Sequence, residues 1–140
     1  MAKDILYVED DADHAELVLR HLEKHALRER VVHVDDGERA VAYLAARVAD
    51  GAARPRLVLL DLRLPRMDGM EVLEHIKSSE PLREIPVVVF TTSAAERDVK
   101  EAFTRCANSY VVKPEDALEL DRVLAELTHY WLDRNEPCPA

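Results

Sequence analysis

Acidic side chains follow two short apolar runs of the sequence, at the point where each run ends. Asp61 comes directly after residues 57–60 (LVLL), and Glu9 and Asp10 come directly after residues 5–8 (ILYV). Two carboxylates about 4 Å apart repel each other by roughly 4 kcal/mol at an effective dielectric constant of about 20. A hard divalent cation with oxygen ligands, Mg²⁺ or else Mn²⁺, would offset that repulsion. The sequence therefore predicts a cation site if the two runs are neighbouring strands.

Five short apolar runs predict five strands, and the segments between them carry apolar residues at helical spacing. A fifth helix is predicted over residues 115–134. Strands that are apolar on both faces and alternate with helices indicate a parallel sheet covered on both sides. The predicted fold class is α/β, a five-stranded, doubly wound (βα)5 sandwich of flavodoxin-like topology. The predicted strands are residues 5–8, 31–34, 57–60, 87–90 and 110–112.

Ligands of such folds bind outside the carboxyl ends of the strands, and five polar residues of this chain fall there. Thr91 and Lys113 end or follow the fourth and fifth runs and join Glu9, Asp10 and Asp61 on the same rim. Asp61 could act as a nucleophile and become an acyl phosphate, while a metal ion and Lys113 offset charge on the phosphoryl oxygens. These are the components of phosphoryl transfer.

Four motifs in this order resemble the receiver domain of bacterial response regulators, from residue 4 to about 127. The resemblance implies a CheY-like fold and a signalling switch with at most weak self-phosphorylation and dephosphorylation activity. The motifs are residues 8–11 (VEDD), 60–69 (LDLRLPRMDG), 86–93 (PVVVFTTS) and 109–114 (SYVVKP).

The resemblance also assigns a metal set and a reaction. Asp61 would accept a phosphoryl group from a phosphohistidine on a sensor histidine kinase. Mg²⁺ would be held by Asp10, Asp61 and the backbone carbonyl of Arg63, and Glu9 would act through a metal-bound water.

The same resemblance assigns the residues that read the phosphoryl group. Thr91 would bond one phosphoryl oxygen and Lys113 would pair with another. Tyr110 would be an aromatic switch whose rotamer follows Thr91. The output surface would be helix 4, strand 5 and helix 5, which phosphorylation alters by adding roughly two negative charges at one point.

The end of the chain departs from a generic receiver. We expect a receiver domain over residues 1–127 and an extension of the last helix plus a tail over 128–140, with no output domain. Tyr130, Trp131 and Leu132 are predicted interface anchors of a homodimer, since aromatic residues are enriched at interfaces. This ending, together with residues 90–93 (FTTS) and 107–110 (ANSY), resembles the single-domain regulators of bacterial and cyanobacterial phytochrome kinases, which implies a bacteriophytochrome as the upstream partner.

Composition excludes several other classes. The 28 acidic and 19 basic residues give a net charge of −9, which disfavours nucleic acid as a partner. The sequence has no apolar stretch of the roughly 18 residues that a membrane span needs and no signal peptide, so a cytoplasmic protein is expected. Cys106 and Cys138 lack metal-site spacing and are expected to be reduced, structural thiols.

Four alternatives remain open on sequence grounds. An aspartate-nucleophile phosphohydrolase of the haloacid dehalogenase type would need an acid where Arg63 stands, and an FMN carrier would need a glycine-rich loop, which three glycines do not supply. A phosphate sink or relay intermediate and an interaction module with vestigial acids are the other two.

Four further residues have interpretations of their own. His21 and His25 have the spacing of a zinc pair but no evident third ligand, and are expected on a solvated helix face. Asp11 is expected only to stabilise the start of the first helix, and Gly69 to require a positive φ.

Overall fold

The structure, a computed structural model, describes residues 3–139. Five strands alternate with five α-helices, and two short helices of other types follow α1 and α5. The strands are β1 (Ile5–Val8), β2 (Val31–Val34), β3 (Leu57–Leu60), β4 (Val87–Thr91) and β5 (Ser109–Val112). The α-helices are α1 (Ala12–Lys24), α2 (Gly37–Ala49), α3 (Gly69–Ser78), α4 (Glu96–Thr104) and α5 (Ala117–Thr128), with a 3₁₀ turn at Arg28–Arg30 and a π-helical turn at His129–Arg134.

The strands form one parallel sheet in the order β2-β1-β3-β4-β5, which confirms the predicted fold class. Successive side chains of a strand point to opposite faces, so each buried strand serves two core layers. One layer lies against α2, α3 and α4 and includes Leu6, Val58 and Val89. The other lies against α1 and α5 and includes Tyr7, Leu59 and Phe90.

Aspartate side chains cap four of the five α-helices. Asp11, Asp36, Asp68 and Asp116 accept hydrogen bonds from backbone N–H groups in the first turns of α1, α2, α3 and α5, which confirms the role predicted for Asp11. The residue before α4 is Ala95, which offers no side-chain cap. The start of α4 is therefore held in a different way from the other helices.

The predicted fifth helix changes geometry before its end. It is α-helical to Thr128, whose hydroxyl donates to the carbonyl of Leu124 at 2.8 Å, and then becomes a π-helical turn. A π turn changes which side chains face the core, and Leu132 is 4% exposed and packs in the layer beneath α1 and α5. The prediction that Leu132 is an exposed interface anchor is therefore wrong, whereas Tyr130 is 52% exposed.

Two further predictions also fail. Gly69 is not among the residues with positive φ in the described chain; instead, a Cβ there would clash with the backbone of Asp61 and Leu62, so glycine permits a close approach. His21 is buried rather than solvated, and its Nδ1 lies 2.8 Å from Asp121 Oδ1, which also lies 3.1 Å from His25 Nε2.

Candidate functional site

Three predicted site residues converge at the carboxyl edge of the sheet. Glu9 and Asp61 directly follow the neighbouring strands β1 and β3, and Lys113 directly follows β5. Lys113 Nζ donates to Asp61 Oδ2 at 3.0 Å and to Glu9 Oε1 in a shorter contact. All three residues are buried, so two carboxyl groups share one ammonium group out of water.

This arrangement separates the pKa values of the two acids. Burial and, next in size, the hydrogen bond with Asp61 raise the pKa of Glu9 from 4.5 to about 8, because Lys113 offsets only part of their effect. Burial also acts to raise the pKa of Asp61, but the hydrogen bond with Glu9 and the charge of Lys113 outweigh it and lower that pKa. Asp61 is therefore the more acidic group of the pair, and burial favours the protonated form of Glu9.

The other predicted residues lie on the same rim with separate contacts. Thr91 is fully buried at the end of β4, and its carbonyl accepts a 2.7 Å hydrogen bond from the backbone N–H of Lys113. Asp10 is exposed next to Glu9. The backbone N–H of Arg63 donates to Asp61 Oδ1 at 3.3 Å, so the loop after β3 bends back over this carboxylate.

The donors on the rim fit a divalent cation in chemical type. Glu9, Asp10 and Asp61 supply carboxylate oxygens, which hard cations prefer. Within residues 3–139, however, no three acidic, histidine or cysteine side chains are grouped as metal ligands. Lys113 is bonded to both Glu9 and Asp61.

Tyr110, the predicted switch residue, is bonded to the loop that follows Thr91. Its hydroxyl donates to the carbonyl of Ser93 at 2.9 Å, and the backbone N–H of Ser93 donates to Thr91 Oγ1 at 3.4 Å. Burial raises the pKa of the Tyr110 phenol. Tyr110 and Thr91 thus contact the same residue of the β4–α4 loop, which is the connection that a coupled rotamer change requires.

Sequence reasoning missed several polar contacts around the site. Arg66 adopts a φ of 65°, in the left-handed region, and its Nη1 lies 2.7 Å from Asp36 Oδ2, a buried carboxylate that also caps α2. His14 Nδ1 lies 3.4 Å from Lys113 Nζ. Neither contact has a local sequence signal, because the partners are 30 and 99 residues apart.

Comparison with known proteins decides the family. Residues 5–125 match the family model of the response regulator receiver domain. The chain is a response regulator receiver domain. Receivers of this kind act in phosphorylation-based signalling, receive phosphate from histidine kinases and bind a divalent metal ion. This receiver is thus a signalling protein rather than a phosphohydrolase or an FMN carrier.

Among its relatives, the receiver is 46% identical over 137 residues to the probable methanogenesis regulatory protein FilR2 of Methanothrix harundinacea, covering 97% of this chain and 88% of FilR2. It superposes on the phosphorylated cyanobacterial phytochrome response regulator RcpA with a TM-score of 0.88 and 35% identity, over 99% of this chain and all of that one.

The Mn²⁺-bound form of Rcp1, a response regulator of Synechocystis, gives a TM-score of 0.83 at 35% identity, with coverage of 97% and 98%. The resemblance to the regulators associated with phytochromes is therefore confirmed. None of the helices within residues 3–139 is long and apolar enough to cross a membrane.

Proposed function

We propose that Asp61 is the phosphoryl acceptor of this receiver. The observation that carries the proposal is the convergence of Glu9, Asp61 and Lys113, in which Asp61 is the acid with the lowered pKa. A carboxylate oxygen of Asp61 attacks the phosphorus of a phosphohistidine, so an O–P bond forms as the P–N bond breaks and the imidazole leaves.

The surrounding residues supply position and charge. Lys113 pairs with one phosphoryl oxygen and the hydroxyl of Thr91 bonds another. Asp10, Asp61 and the carbonyl of Arg63 would hold Mg²⁺ directly, with Glu9 acting through water. Bound there, the cation would neutralise charge on the transferring group. Weak self-phosphorylation and dephosphorylation belong to the same proposal.

Intact mass after incubation with Mg²⁺ and acetyl phosphate tests this directly. We expect the wild type to gain one phosphoryl group and Asp61→Asn to gain none. Asp35→Asn is the matched control, because Asp35 is an exposed acid that follows β2 on the same rim. Equal gains by wild type and Asp61→Asn would overturn the assignment, and no gain by wild type would favour an interaction module.

A phytochrome-type sensor histidine kinase in the cytoplasm is the proposed donor. The likeness to RcpA and Rcp1 supports it, whereas the higher identity to FilR2 favours a kinase that senses something other than light. Transfer from a purified, autophosphorylated bacteriophytochrome kinase to this receiver, compared with transfer from a kinase without a chromophore domain, distinguishes the two. The same assay with a phosphotransfer protein added would reveal a relay or phosphate-sink role.

We also propose a homodimer through the π-helical turn at His129–Arg134. Tyr130 is half exposed and its ring packs edge-on against Trp131 with centroids 4.9 Å apart, so a rigid aromatic pair lies at the end of α5. Sedimentation of a Tyr130→Ala/Trp131→Ala variant should give a lighter species than wild type. Leu118→Ala removes a 79% exposed side chain near the other end of α5 and should change nothing. A monomeric wild type would refute the dimer.

A further inference from the structure

A chain of polar contacts connects the loop after Asp61 to the start of α4. Arg63 Nη2 lies 3.5 Å from Asp98 Oδ2, on the first turn of α4, and the same oxygen accepts a 2.5 Å hydrogen bond from the hydroxyl of Ser93. The Ser93 hydroxyl also accepts from the backbone N–H of Ala95 at 3.3 Å. Since α4 lacks a side-chain cap, Asp98 and Ser93 hold its first turn in place.

We propose that Arg63 is a phosphoryl-binding residue whose partner in the unphosphorylated receiver is Asp98. When Asp61 is phosphorylated, the guanidinium leaves Asp98 and pairs with the phosphoryl oxygens. This inference rests on the proposed role of Asp61 and extends it to a residue that acts on the same group.

The relative strengths of the two ion pairs favour this exchange. The Arg63 side chain is 72% exposed and its contact with Asp98 is long, so the resting pair belongs to the weak class of surface ion pairs. The backbone N–H of Arg63 already touches Asp61, which keeps its side chain next to the place where about two negative charges arrive. Arginine binds phosphoryl oxygens in a bidentate, charge-assisted manner that a single distant carboxylate does not match.

The exchange has a consequence for α4. Asp98 loses one cation and keeps only the Ser93 hydroxyl, whose residue also accepts the hydrogen bond from Tyr110. Phosphorylation would thus alter the contacts at the uncapped end of α4 through Arg63, in addition to any effect of Thr91.

Binding of beryllofluoride, a phosphoryl mimic, in the presence of Mg²⁺ tests the exchange by fluorine-19 NMR titration. We expect Arg63→Gln to weaken binding roughly tenfold and Arg63→Lys to recover part of the loss. Asp98→Asn removes the competitor and should strengthen binding several-fold. In the Arg63→Gln background, Asp98→Asn should not change the affinity for beryllofluoride, because the arginine that Asp98 would otherwise hold is absent.

Arg122→Gln and Glu119→Gln are the matched controls. These residues form an exposed ion pair at 3.3 Å on α5, so the substitutions change net charge equally at a remote position. Unchanged affinity in Arg63→Gln, or an Asp98→Asn effect that persists without Arg63, would overturn the inference. Intact mass separates this from the role of Asp61: a wild type that takes no phosphoryl group overturns both, whereas normal phosphorylation with unchanged affinities overturns the Arg63 proposal alone.

Discussion

Replacing Glu9 by Gln should make the metal-free receiver increasingly more stable than the wild type as the pH rises from about 5.5 to 7.5. The pKa of Glu9 is raised from its usual 4.5 to about 8, so the fold favours the protonated form. That contribution is fully present below about pH 4.5 and is lost as the pH rises through about 8. Gln is a neutral substitute of the same shape, so the variant should not lose stability between about pH 4.5 and 8.

The expected magnitude follows from proton linkage. One proton bound by the native state and not by the unfolded state changes the unfolding free energy by about 1.4 kcal/mol per pH unit. Between about pH 5.5 and 7.5, the advantage of Glu9→Gln over wild type should therefore grow by about 2–3 kcal/mol. The depressed pKa of Asp61 does not interfere, because its contribution is lost only as the pH falls below the usual range of that carboxyl.

Urea unfolding in a chelator, with both proteins measured at each pH, isolates this effect because the two proteins differ only at residue 9. Adding Mn²⁺ should reduce the advantage of the variant, since binding of the cation stabilises the native wild type. A difference between the two proteins that stays constant within about 0.5 kcal/mol across the window would refute the reasoning. It would mean that Lys113 holds Glu9 ionised in the fold.

Three further substitutions test other contacts. Lys113→Met leaves the buried Asp61 carboxylate without its cation and should lower the unfolding free energy by about 3–5 kcal/mol in urea; an unchanged midpoint would contradict the ion pair. Gly69→Ala places a Cβ against the backbone of Asp61 and should cost about 1–3 kcal/mol and slow the gain of mass from acetyl phosphate; normal kinetics would show that the loop can yield. Asp121→Asn removes the negative charge from the acceptor of His21. Because the hydrogen bond with His21 lowers the pKa of Asp121, faster amide exchange in α1 is expected above about pH 4, and the difference from wild type should disappear at lower pH.

The strand assignments and the rim residues could be predicted because each depends on a local signal. Apolar runs set the strands, and parallel topology then brings the residues at their carboxyl ends to one edge. The meeting of Glu9, Asp61 and Lys113 follows from those two facts. Their individual roles in phosphoryl transfer remain predictions.

Contacts between distant segments could not be read from the chain. The partner of His21 lies 100 residues away, and an ion pair between an exposed arginine and a buried carboxylate, such as that of Arg66 and Asp36, has no periodic pattern. The prediction for Leu132 fails for a geometric reason. It assumes an α-helix to residue 134, whereas the π turn at His129–Arg134 changes which side chains face the core. Gly69 was misread because glycine serves close approach as well as positive φ.

The two loops that border Asp61 are held with unequal strength. The β3–α3 loop is fixed against α2 by Arg66 and the buried Asp36, and Gly37 lets the start of α2 press against the backbone of Met67. The β4–α4 loop depends instead on contacts among exposed or half-buried polar groups.

A switch requires the added charge to stabilise one arrangement more than another, since equal stabilisation of both shifts nothing. The β4–α4 loop can rearrange by exchanging a few charge-assisted hydrogen bonds, whereas moving the β3–α3 loop would take Arg66 away from the buried carboxylate of Asp36. Asp98 and Tyr110 both belong to the weaker side. Charge placed on Asp61 should therefore be transmitted to α4 and β5 rather than to α2. A change that holds the Asp98 carboxylate in its resting position should weaken the structural response to phosphorylation more than any change at Asp36.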